Sequence, residues 1–101
     1  NPEFYSFRKR LMVMTNLLEN SVARVDEIKN QEYLDFQARR LVEMAGHIIM
    51  GYILIIDASR NEMFRKSAEV YLNYSEVEVR KHAAFIKTFN VESLDRYRMA
   101  W

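Results

Sequence analysis

Residues 43–57 read "EMAGHIIMGYILIID", a run of thirteen mostly apolar positions bounded by carboxylates and holding one histidine and two glycines. Three readings compete for it: a membrane span, a ligand pocket around His47, or the central helix of a bundle. A span needs about 20 mostly apolar residues, so the run is short on length alone. As a soluble helix it is apolar all round, because Ile49, Met50, Ile53, Leu54 and Ile56 fill the sides that the stripe Leu41, Ile48, Tyr52, Ile55 leaves open. Such a helix has to be surrounded. Gly46 and Gly51 each cost about 1 kcal/mol of helix propensity, and the usual compensation is close approach by a neighbouring backbone or bulky side chain. Both glycines are therefore expected at the closest helix contacts.

The flanking sequence supplies partners for this helix. With two glycines and one proline in 101 residues, breakers are scarce and long helices are expected. Phe4, Phe7, Leu11, Met14, Leu18, Val25 and Ile28 alternate by three and four, interrupted only around Ser21, which predicts a first helix over residues 3–29. The polar cluster "KNQE" at residues 29–32 breaks it. A second helix is predicted over 33–58, with Leu34, Ala38, Leu41, Ala45, Ile48, Tyr52 and Ile55 in register. "DASRNE" then offers Ser59 and Glu62 as a capping box, with Asn61 as a competing cap. A third helix follows to residue 88 on the stripe Phe64, Ala68, Tyr71, Ser75, Val79, His82, Ile86 and Phe89. "FNVES" ends it, and a short fourth helix over 91–99 is expected to fold back through Leu94, Tyr97 and Trp101. Short connections make neighbours antiparallel, so the fold class is all-α, an up-down bundle of three long helices plus a short C-terminal helix, close to a four-helix bundle. Three helices cannot enclose one of themselves. The C-terminal segment, a second copy or the rest of a larger protein must cover the remaining face of helix two.

Composition excludes more than it identifies. Half the residues are hydrophobic and 29% are charged, with 15 basic against 14 acidic side chains, the profile of one folded domain. The near-zero net charge leaves no long-range field to gather nucleic acid, and the basic doublets each have acidic neighbours. With no cysteine there are no disulfides and no thiolate chemistry, and a reducing, cytoplasmic setting is the default. The first residues lack the order of a secretory signal. A chain that begins without methionine reads as processed or as a piece of a longer protein.

Chemical motifs are sparse. Glu43 precedes His47, and Glu78 precedes His82, by one helical turn, but bundle metal sites use Glu-x-x-His, and both spacings are one residue too long. A hairpin centred near Ser59 pairs positions summing to about 119. His47 would then face Leu72 and His82 would face Gln37, roughly 15 Å apart at helical rise, so structural histidines are expected and no metal ligand is assigned. No glycine-rich phosphate loop or strand-to-helix serine is present. Glu69, Glu76 and Glu78 read as a solvated face, with Glu76 paired to Arg80. No catalytic, cofactor-binding or metal residue is assigned. The residues that stand out are apolar: Val70, Tyr74, Val77 and Ala84 form a second row on helix three, which with Gly46, Ile49, Gly51 and Ile53 of helix two suggests packing or a docking or dimerisation surface, and hence a homo-oligomer.

The segments "LVEMAGHIIMGYILIIDASR" and "KSAEVYLNYSEVEVRKHAAFI", in that order and spacing, resemble the C-terminal accessory helical domain of bacterial acyl-CoA dehydrogenases. The resemblance implies an all-helical module downstream of a flavin-binding body in an enzyme that oxidises acyl-CoA thioesters to 2-enoyl-CoA. In that family a glutamate of the body removes the α-proton while FAD takes the hydride. Nothing in these 101 residues matches that glutamate or the FAD and CoA contacts, so FAD is expected in the parent enzyme and not in this chain. The expected function is non-catalytic: packing against the dehydrogenase body, oligomerisation or enclosure of the acyl chain. A free-standing binding module that takes an acyl chain or partner helix between helices two and three is the alternative, and peripheral membrane contact is a third.

Overall fold

The computed structural model describes the backbone of residues 2–99 and the side chains of residues 4–96. Helix α1 spans Pro2–Ile28, with proline at the first helical position, where its missing N–H breaks no bond. It buries Phe7, Leu11, Met14, Ser21 and Val25 on one line, the stripe expected from the sequence. Lys29 stops it in the left-handed region at φ 56°, its N–H donating to the Asp26 carbonyl. Asn30 is extended, and its Oδ1 accepts from the Tyr33 N–H at 2.9 Å, which starts the next helix. Two residues thus reverse the chain.

Helix α2 runs over Gln31–Arg60, longer at both ends than expected. Ser59 is not a cap: its hydroxyl donates to the Ile56 carbonyl inside the helix. Asn61 takes the role instead, ending α2 and accepting from the Met63 N–H to open a 3₁₀ turn over Glu62–Phe64. The buried line of α2 also differs from the expected one. It is Tyr33, Gln37, Met44, Ile48, Gly51, Ile55 and Ala58, while Leu34 and Tyr52 sit on the flank towards α1, each 39% exposed. The polar atoms of Tyr33 and Gln37 hide this line from a pattern of apolar residues.

Helix α3 spans Arg65–Thr88 and buries Ala68, Leu72, Ser75, Val79 and Ile86. Phe64, expected on this stripe, is largely exposed, because the 3₁₀ turn places it before the helix proper. Phe89 is extended, Asn90 accepts from the Ser93 N–H, and α4 follows over Val91–Met99 as predicted, with Leu94 buried in the shared core. The expected packing of Tyr97 and Trp101 falls outside the described side chains. Every long helix packs on both others, so the architecture is an antiparallel all-α bundle with no strand among the described residues. It measures 52 × 25 × 16 Å.

Two lateral clusters lock the helices in register. At one end the fully buried Tyr33 hydroxyl lies against the carbonyls of Ile86 and Phe89, groups that α3 cannot satisfy itself at its C-terminus. Gln37 Nε2 donates to the Tyr33 oxygen over a long 3.4 Å. Beside them Phe36, Phe85 and Phe89 stack, and the Arg40 guanidinium sits 4.2 Å from the Phe85 ring centre. Between α1 and α3, Arg10 donates to Glu76 and to Asn73, both at 2.8 Å. Glu76 also accepts from Arg80, the pair read from the sequence, but the cross-helix bond from Arg10 carries no local spacing signal.

Candidate functional site

Helices α2 and α3 bring the titratable groups of the middle of the bundle together. His47 Nδ1 lies 3.1 Å from the Tyr71 hydroxyl, and its ring meets Tyr74 edge-on at 5.6 Å. That agrees to within a residue or two with the expected neighbourhood of Leu72. His82 does not face Gln37. It meets Glu43, with Nε2 3.0 Å from Oε2, close enough for an ion pair but out of line for a hydrogen bond. The positions paired by contact sum to 118 at His47–Tyr71 and to 125 at Glu43–His82, because long side chains reach up or down the groove to partners about a turn away from the residue at their own level.

Electrostatics here are those of interhelical glue. A hydrogen bond from Arg39 holds the Glu43 carboxyl below its ordinary value, against the effect of burial, with His82 adding to the lowering. Burial pushes His82 down, opposed by the attraction of Glu43. Glu78 is lowered by its hydrogen bond to Lys81. Burial acts to raise Glu76, yet the bonds from Arg10 and Arg80 outweigh it and hold the carboxyl low. Tyr71 is raised, first by burial and then by Tyr74. Among the described residues no three His, Asp or Glu side chains converge as a metal centre would require. Among the described residues Arg10, Arg39, Arg65, Arg80 and Lys81 each pair with a carboxylate of the bundle.

Two open grooves of about 450 Å³ flank α1. One lies against the start of α2 between Val22, Val25, Leu34 and Leu41, the other against α3 between Leu17, Ser21, Ala83 and Ile86. Neither is lined by α2 and α3 together, where the alternative reading places an acyl chain.

The apolar residues singled out from the sequence divide into three groups. Gly51 is buried at a three-helix contact, where an added Cβ would stand 2.7 Å from Leu11 Cδ2 and 3.3 Å from Leu72 Cδ2. Gly46, expected at such a contact too, is exposed with nothing within 4 Å of the same position. It lies about 160° around the helix from the buried line, so nothing in its own bundle can reach it. Gly46, Ile49 and Ile53 instead share the outward face of α2, joined by Val42 and Ile56, which the sequence reading did not single out as interface residues. Their 4-3-4-3 spacing was visible in the sequence but masked by the second apolar stripe on the same helix. Val70, Tyr74 and Val77 lie on the outward side of α3, more than half exposed.

Helix α2 is long and apolar enough, by length and composition, to cross a membrane, so the shortness of the 43–57 run does not by itself dispose of a span. One such helix is weak evidence, since core helices of soluble bundles meet the same test. Here Gln37 sits in the core, and Glu43 bonds to Arg39 and faces His82 across the α2–α3 contact. Only 28% of its most apolar stretch is buried within the chain.

The described residues form an all-α bundle with ion pairs between its helices and apolar outer faces on α2 and α3. The chain belongs to the acyl-CoA dehydrogenase C-terminal family, which it matches over residues 1–94. It is similar to the crystal structure of an acyl-CoA dehydrogenase family protein from Porphyromonas gingivalis, at 43% identity over 89% of this chain and 78% of that one, with a TM-score of 0.83. Among curated proteins none matches it.

Proposed function

We propose that this chain is a single, non-catalytic C-terminal helical domain of an FAD-dependent acyl-CoA dehydrogenase, acting in the cytoplasm by packing against the dehydrogenase body and supporting subunit association. The observation that carries the reading is the match of residues 1–94 to the C-terminal part of that enzyme family. The arrangement of polar groups supports it: Glu43, Glu76 and Glu78 are each held by a cation on the bundle and so are poor candidates for abstracting a proton from a thioester. FAD belongs to the parent enzyme, where it would accept the hydride. This chain's own contribution is apolar surface on α2 and α3, whose burial against a neighbour removes water at roughly 25 cal/mol per Å².

The test is direct. The purified domain should show neither flavin absorbance nor reduction of an electron acceptor by acyl-CoA. Deleting it from the parent should change the oligomer size or shift the chain-length preference. Turnover by the isolated domain would overturn the reading, as would a deletion that leaves both properties untouched.

A further inference from the structure

The outward face of α2 carries a charge order as well as an apolar line. Val42, Gly46, Ile49, Ile53 and Ile56 follow one another at spacings of four, three, four and three, the seam of a helix that packs along another helix. Val42, Ile49, Ile53 and Ile56 are 70%, 60%, 46% and 48% exposed. Asp35 and Arg39 lie towards one end of this face, Arg39 with its Nε on Glu43 and its side chain still 88% exposed, and Asp57 and Arg60 lie towards the other.

That order, negative then positive at both ends, is self-complementary only in one sense. A second α2 laid antiparallel, with the two-fold axis at about the level of residues 47 and 48, brings Asp35 opposite the partner's Arg60 and Arg39 opposite the partner's Asp57. Symmetry repeats both pairs. A parallel in-register copy would set like charge against like at all four positions. At the antiparallel register Val42 meets the partner's Ile53, and Ile49 comes over the partner's Gly46. The glycine that has nothing within 4 Å in its own bundle then supplies the notch that a facing isoleucine needs.

We infer that the outer face of α2 docks antiparallel against the same face of a second copy of this chain, with Ile49 of each copy seated over the partner's Gly46. The inference deepens the association role proposed above and rests on that reading. It names the surface, the partner and the orientation.

Sedimentation equilibrium of the 101-residue chain tests it. The seam is about 20 Å long, near the low end of specific interfaces, so a monomer–dimer equilibrium is expected in roughly the micromolar range. Ile49→Glu and Gly46→Arg should each abolish the dimer while keeping the helical circular dichroism and cooperative melting of the monomer, because both positions face away from the core. Arg39→Asp alone, or Asp57→Arg alone, should weaken the dimer by roughly tenfold at low salt, since each change reverses two symmetric contacts. The double variant Arg39→Asp/Asp57→Arg should restore it.

A chain that stays monomeric to about 500 μM, well above that range, overturns the inference. So does a dimer indifferent to Ile49→Glu, or a double charge swap no tighter than the single variants. Binding of the monomer to phosphatidylcholine vesicles without self-association would assign the face to lipid and overturn it as well. The deletion experiment on the parent reads independently of all of these, so the inference can fail while the packing role stands.

Discussion

Tyr33 shows how a single polar atom can govern where a helix is buried. Its hydroxyl satisfies carbonyls at the end of α3 and receives Gln37, so the ring can be fully enclosed. Tyr33→Phe removes the donor and leaves buried carbonyls and the Gln37 amide short of partners, a loss of about 1 to 3 kcal/mol by urea unfolding. Tyr74→Phe, at a position 56% exposed, should change stability by under about 0.5 kcal/mol and serves as the control. The glycines separate in the same way. Gly46→Ala adds a methyl in open space and should raise monomer stability by about 0.5 to 1 kcal/mol. Gly51→Ala pushes against the fully buried Leu11 and Leu72, and should fall below Gly46→Ala by about 1 to 3 kcal/mol in the same assay. Two glycines in one helix looked alike in the sequence, because helix periodicity locates a face without saying what stands opposite it.

The contact between α2 and α3 carries a pH signature. His82 is held below its ordinary value of 6.5, so the unfolded chain binds a proton there before the folded chain does. Stability present above pH 6.5 is therefore lost as the pH falls towards the folded value. Glu43, Glu76 and Glu78 are also lowered from 4.5, and their contribution, present above that pH, disappears as the pH falls further. Thermal melts from pH 8 to pH 3 should show Tm declining first near 6.5 and again below 4.5. His82→Gln should remove the first decline and leave the second. An unchanged upper decline in that variant would show that another group is responsible. At the connection between α1 and α2, Lys29 occupies the left-handed region that disfavours side chains by roughly 1 kcal/mol. Lys29→Gly should accordingly hold or raise Tm, with the loss of the exposed Lys29–Asp26 pair mattering little. The connections themselves were readable because Asn30, Asn61 and Asn90 act through their own side chains on N–H groups two or three residues ahead. Which of Ser59 and Asn61 would cap was less evident, since a serine inside a helix can bond back to its own preceding turn.

For the whole molecule, shape follows from helix length: three helices of 24 to 30 residues make a rod of 52 Å rather than a sphere. The fourth helix adds Leu94 to the core, and Leu94→Ala should cost about 2 to 5 kcal/mol in urea unfolding if α4 is integral to the bundle. The sequence alone determined the number of α-helices, their approximate extents, the antiparallel order and the excess of apolar surface on α2. These are consequences of local chemistry: breakers, caps and periodicity act within a few residues. It also carried the family resemblance, because the packing motifs of α2 and α3 stand in fixed order. Only the tertiary structure decided which flank of α2 is inside, that His82 meets Glu43 and not Gln37, and that Arg10 reaches Glu76. Those depend on crossing angle and register between helices far apart in the chain, where a displacement of one turn changes every partner without altering the pattern on either helix.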